Sequence, residues 1–209
     1  MSLVFPRLYV IMDASLIKTS EMAFAEMLAE SGVALVQIRN KKASSRDFLQ
    51  ISTQLSAFFK RQGVRLIVND RPDLALLADA GGVHVGQDDV EVEVARQVCG
   101  SDRWVGISTH SMEQVQRAAA GSADYIAIGP IFPTSTKASP EPVVGVECIR
   151  AAHRLTLKPL VAIGGITLDR VPEVFRAGAD SVAVAQDLLC APDPKRRAQE
   201  FLQISMVKA

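Results

Sequence analysis

Cysteine is scarce in this chain. Its 209 residues include three, Cys99, Cys148 and Cys190, with no CxxC pair among them. An odd set of that kind argues against a disulfide framework and suits a reducing compartment, so a cytoplasmic protein is expected. Charge of one sign is also missing. Lys and Arg number 23, Asp and Glu number 23, and the formal net charge is zero. That balance gives no global attraction to nucleic acid or anionic lipid. No apolar run approaches the roughly 18 residues of a membrane span. Arg7 and Asp13 interrupt the N-terminal apolar stretch, so no secretion signal is expected. The expected partners are small molecules, with no nucleic acid and no membrane; a homo-oligomer is left open.

Apolar residues are plentiful, at 48%, beside 22% charged residues. This is the balance of an ordinary globular domain, and it excludes disorder as the main state. The apolar material comes in eight short, β-branched runs, at residues 7–13, 34–40, 65–70, 82–86, 104–109, 125–130, 160–165 and 181–186. Segments of helical character separate them, near 20–31, 45–62, 72–79, 90–99, 111–120, 145–156, 168–177 and 194–207. Thr19 or Ser20, Ser44 or Ser45, and Ser111 stand where N-caps stand, and Gly32, Gly63, Gly121 and Gly178 stand just past helices. Repeated β-then-α units predict a parallel sheet, and eight is the number that closes one. The expectation is a single-domain α/β chain, a (β/α)8 TIM barrel over residues 1–209. An open doubly wound sheet fits less well, because no GxGxxG follows the first strand. One loop is long, from 131 to about 144, and rich in Thr, Ser and Pro.

Chemistry in such a barrel sits at the C-terminal strand ends. Gln37, Arg39 and Lys41 share one face of strand 2 and suit a multiply charged anion, though solvated surface charges would look the same. Asp70 and Asp89 end strands 3 and 4, and two hard carboxylates suit Mg²⁺ bridged to phosphates. Helix capping is the plainer alternative, and Asp88 is assigned to it. Gly164 and Gly165 end strand 7, and residues 185–187 end strand 8, where backbone N–H groups often hold phosphate. A tight turn would also account for Gly164. Thr134, Ser135, Thr136 and Lys137 form a hydroxyl-rich loop with one cation, suited to closing over phosphates, though an ordinary exposed loop would look the same. His84 reads as a buried, satisfied histidine, and His110 and His153 as peripheral. Lys195, Arg196 and Arg197 read as a solvated face beside Glu200.

Taken together, QIRNK (37–41), IVNDRPDLAL (67–76), GVHVGQDD (82–89), VGISTH (105–110), ADYIAIGPIFPTSTK (123–137), VAIGGI (161–166) and AGADSVAV (177–184) resemble the thiamine-phosphate synthase family. The resemblance covers nearly the whole chain from about residue 8. It implies a Mg²⁺-dependent transferase that joins an aminopyrimidine bearing a CH₂-diphosphate to a thiazole phosphate, releasing diphosphate. It implies a dissociative path, in which a pyrimidine-stabilised cation forms first. Carried over by position, Gln37, Ile38, Arg39, Asn40, Lys41, Asn69, Ser108 and Lys137 bind the pyrimidine diphosphate. Arg39, Lys41, Lys137 and Ser108 carry the catalysis. Asp70 and Asp89 hold one Mg²⁺. Thr134, Ser135, Thr136, Gly165, Ala185 and Gln186 take the thiazole phosphate. One departure stands out. Strand 8 ends Ala185-Gln186-Asp187, where the family usually has a small residue, serine and another small residue. Three other readings compete: a thiazole tautomerase-like isomerase, a non-catalytic barrel that binds thiamine intermediates, and a different phosphate-sugar isomerase barrel, which the NDR, GQDD and TSTK segments disfavour.

Overall fold

The structure is a computed structural model that describes residues 5–134 and 141–206. Eight parallel strands close into a barrel in sequence order. They are β1 (Leu8–Asp13), β2 (Leu35–Arg39), β3 (Arg65–Asn69), β4 (Gly82–Val85), β5 (Trp104–Thr109), β6 (Tyr125–Ile128), β7 (Leu160–Ile163) and β8 (Ser181–Val184). The helices between them are α1 (Glu21–Glu30), α2 (Ser45–Arg61), α3 (Pro72–Leu77), α4 (Val92–Cys99), α5 (Met112–Ala120), α6 (Gly145–His153) and α7 (Val171–Arg176). A short α8 (Gln186–Leu189) and a longer α9 (Pro194–Met206) follow β8. All eight expected strands are present, several ending a residue or two sooner than the apolar run. The expected helix at 168–177 opens as a 3-10 turn, Leu168–Arg170, before α7.

Local chemistry explains the helix ends. The hydroxyls of Ser20, Ser44 and Ser111 accept from Ala23, Asp47 and Gln114 backbone N–H groups, each satisfying a donor the helix leaves open. Gly32, Gly63 and Gly178 have positive φ past their helices, as a C′ glycine does. Gly121 differs. Its φ is −82° and its N–H caps Arg117 O, so it ends α5 in extended backbone. A Cβ there would lie 2.9 Å from Glu93 Oε1, the far end of a flexible side chain that can move aside.

Side chains alternate across each strand, and this divides the core in two. Outward residues such as Val10, Val36, Val68 and Val105 pack under the helices, where Phe48, Leu55 and Phe59 of α2 meet them in one apolar layer. Each fully buried Leu or Phe contributes about 1.5–3 kcal/mol. Inward residues form a second, smaller cluster of Phe5, Tyr9, Leu35, Ile67, Tyr125 and Val161. Gly106 makes room for it: a Cβ there would lie 2.0 Å from the Tyr125 ring. At the N-terminal end of the strands, Phe5 stacks on Trp104 at 5.2 Å and the Arg65 guanidinium lies over the Trp104 ring at 4.0 Å. That end is closed, and the inward residues above it face an open mouth.

Candidate active site

A cavity of about 860 Å³ occupies the C-terminal mouth of the barrel. Its floor is the top of the inward cluster. Tyr9, Gln37, His84 and Ser108 reach it from β1, β2, β4 and β5. Gln37 Nε2 donates to Tyr9 Oη at 2.7 Å, and the Tyr9 and Tyr125 hydroxyls meet at 3.0 Å. His84 Nδ1 lies 3.0 Å from Tyr125 Oη, and His84 Nε2 lies 2.9 Å from Ser108 Oγ. His84 is thus buried and satisfied, as expected. Burial pushes both phenols above their ordinary range, so each keeps its proton.

One wall is ionic. The β1–β2 register places Asp13 opposite Arg39, and the two form an ion pair. Lys41 pairs with Asp70 in the same way. The expected column of cations is there, and each cation carries a carboxylate from the neighbouring strand. Asp70 sits at φ +63°, a left-handed conformation that aspartate tolerates better than most residues. Its N–H donates to His84 O at 2.8 Å, and the Asp89 carboxyl lies within hydrogen-bonding reach of its side chain. Burial raises the Asp70 carboxyl above its ordinary value; Lys41 opposes this and Asp89 adds to it. Asp89 Oδ2 also accepts from Gly86 N at 2.7 Å. A side pocket of about 620 Å³ beside Lys41, Asp70 and Asp89 extends the cavity outward.

The assignment of Asp88 to helix capping is corrected. The residue before α4 is Glu91, and Asp88 lies exposed in the turn beyond β4, beside both cavities. Asn40 spends its side-chain oxygen locally, accepting from Lys42 and Ala43 N–H groups. Ile38 is fully buried in the outer layer, so its contribution at the mouth is limited to backbone.

The opposite wall is built by β6, β7 and β8. Gly164 and Gly165 have φ of +95° and +63°. A Cβ on Gly164 would meet Pro130 Cα at 2.6 Å, and one on Gly165 would meet Pro133 O at 2.4 Å. Both glycines let the β6 loop lie against β7, and a structural reason is enough for Gly164. Thr134, Gly165, Ala185 and Gln186 line this side of the cavity. Ser135, Thr136 and Lys137 lie outside the described residues.

Several lining residues were missed or misplaced by the sequence reading. His110, expected to be peripheral, lines the cavity with Nδ1 against Gly129 O. Arg197, expected on a solvated face, turns inward to Asp187 at 2.7 Å. Asp13 and Arg170 line the cavity too. Asp13 ends the first apolar run, so its position was legible as another strand end. Arg197 becomes visible only when α9 docks.

Comparison with known proteins agrees with this arrangement. The family model described as thiamine monophosphate synthase matches residues 8–188. A thiamine-phosphate synthase of Koribacter versatilis is 50% identical over 204 residues, covering 95% of each chain. One from Chloroflexus aurantiacus is 41% identical, covering 93% of this chain and 90% of its own. Among solved structures, thiamine phosphate pyrophosphorylase from Pyrococcus furiosus superposes with a TM-score of 0.86 at 31% identity, covering 96% of this chain and 97% of the other. The family match, the relatives and the barrel with its one polar mouth agree, and the chain belongs to the thiamine monophosphate synthase family.

Proposed function

We propose that this protein condenses a pyrimidine-CH₂-diphosphate with a thiazole phosphate, giving thiamine phosphate and free diphosphate. The observation that carries the reading is the meeting of the Asp70–Asp89 pair with Lys41 and Arg39 on one wall of a cavity whose other wall is glycine-lined. One half suits a polyanion and a divalent cation. The other suits a single phosphate.

The donor set fits Mg²⁺. Asp70 and Asp89 offer hard oxygens close together, from two strand ends, beside open space for water and substrate oxygens. No group of three or more His, Cys, Asp or Glu side chains forms a metal cage among the described residues. A two-carboxylate site shared with substrate phosphates is the arrangement Mg²⁺ commonly takes. Bound there, the ion would neutralise charge on the departing diphosphate.

The chain's own residues account for the rest. Arg39 and Lys41 stabilise the negative charge that grows as the C–O bond breaks, and Lys137 adds a third cation from the loop. Ser108 and Gln37, fixed by their partners on the cavity floor, orient the pyrimidine. The CH₂ cation left behind is captured by the thiazole nitrogen, so one C–O bond is exchanged for one C–N bond and diphosphate carries the electron pair away. Thr134, Ser135, Thr136, Gly165 and the backbone at Ala185 and Gln186 hold the thiazole phosphate in line. No strong base or protein nucleophile is needed, and the buried His84 is committed to Tyr125 and Ser108.

The test is an assay of the purified chain with both substrates, with and without Mg²⁺, following thiamine phosphate. Mg²⁺-dependent product that disappears in Lys137→Ala supports the reading. Tight thiazole-phosphate binding without product refutes it in favour of a tautomerase or a binding barrel.

A further inference from the structure

The strand-8 departure puts a carboxylate where a phosphate is to bind. Asp187 lies in α8 on the cavity wall, next to Gln186. A bare carboxylate there would repel a phosphate dianion. It is not bare. Arg197 Nη1 donates to Asp187 Oδ2 at 2.7 Å, and Arg197 Nε lies 3.2 Å from Glu200 Oε2. Arg197 comes from α9 and lines the same cavity. The Arg197 and Asp187 side chains are 30% and 20% exposed, shielded enough for their charges to be felt. Its two neighbours behave differently. Lys195 pairs with Glu30 and Arg196 with Glu200, both exposed and outside the cavity.

A second arginine does a matching job on this wall. Arg170 Nη1 donates to Gly165 O at 2.6 Å, with its guanidinium 4.5 Å over the Phe132 ring. Two acceptors on this wall, the Gly165 carbonyl and the Asp187 carboxylate, are each paired with a guanidinium.

We propose that Arg197 is a specificity-determining residue of the thiazole-phosphate half of the site, cancelling the Asp187 charge so that a phosphomonoester is accepted there. This rests on the functional reading above. Gln186 and Asp187 are then tolerated because α9 supplies their counter-charge, and removing the cation alone is worse than removing the pair.

The experiment varies each substrate of the 209-residue chain separately and titrates thiazole phosphate by calorimetry. Arg197→Ala is expected to raise the KM and Kd for thiazole phosphate about tenfold, the effect of one uncancelled charge at a half-buried site. The KM for the pyrimidine diphosphate should stay within about twofold, since the other wall is untouched. Asp187→Asn in the Arg197→Ala background should restore thiazole-phosphate binding to within about threefold of the parent. If the double variant stays as weak as Arg197→Ala, the pair merely ties α8 to α9 and the inference is overturned. Unchanged binding in Arg197→Ala overturns it as well. Should Arg197→Ala fail to fold, Asp187→Asn alone decides: tighter thiazole phosphate supports the inference, and equal or weaker binding overturns it. A parent that binds thiazole phosphate but makes no product sinks the synthase reading and leaves this titration interpretable. A parent that binds none sinks both.

Discussion

Tyr125→Phe removes one oxygen from the centre of the barrel and leaves the ring that fills the space at Gly106. The hydroxyl has two partners, Tyr9 Oη and His84 Nδ1, each at 3.0 Å, and Tyr125 is fully buried. Gln37 donates to Tyr9, each phenol keeps its proton, and a run of donations from Tyr9 to Tyr125 to His84 Nδ1, with His84 Nε2–H toward Ser108, would satisfy every member. Deleting the Tyr125 hydroxyl loses two hydrogen bonds, worth about 1 kcal/mol each net. It also strands a buried donor on Tyr9 or an acceptor on His84, at about 1–3 kcal/mol, partly recovered if the imidazole changes tautomer. The expected loss is about 2–4 kcal/mol, a fall in Tm of roughly 4–16 °C for a domain of this length. Urea and thermal unfolding followed by far-ultraviolet circular dichroism would measure it. Tyr9→Phe should cost a similar amount, and the double variant less than the sum, because the two share a bond. A loss below about 0.5 kcal/mol, or strict additivity, would refute the view that these groups form one satisfied chain.

Other outcomes follow from the same geometry. Asp70→Asn should lower turnover at least about a hundredfold while changing thiazole-phosphate affinity little, since the role proposed for Asp70 is on the diphosphate wall; equal loss of both, read by kinetics and titration, would break the two-wall assignment. Gly82→Ala should destabilise by about 3 kcal/mol or more, because its Cβ would lie 2.2 Å from Trp104 O across the β4–β5 ladder; near-parental urea stability would contradict that contact. Ser44→Ala should cost about 1 kcal/mol by uncapping α2, measurable in the same unfolding series.

The barrel was legible because its signal repeats. Eight β-branched runs at regular spacing leave few alternatives, and alternation along each run already says which side chains turn inward. On this reading Arg39, Asp70 and Asp89 stand at the barrel mouth, where they line the cavity. Their partners were not legible, because pairing depends on register between strands: Asp13 meets Arg39 only once β1 and β2 align. Tyr9 and Tyr125 read as core residues within apolar runs. Their hydroxyl contact spans 116 positions and exists only when β1 and β6 face each other across the interior. A helix of four residues, α8, is too short to show a period. Arg197 was misread for a related reason: three adjacent cations look alike in sequence, and helical geometry turns one of them inward.

The closed end of the barrel gives the protein a built-in optical reporter. Trp104 is the single tryptophan, packed against Phe5 and Arg65 at the end of the strands away from the cavity. Its emission therefore comes from one environment and follows whether that plug is intact. Filling the mouth with substrate should leave the spectrum nearly unmoved, while parting Phe5 or Arg65 from the ring should shift it. Fluorescence of the unlabelled chain can thus separate a variant that has lost its barrel from one that has only lost its ligand.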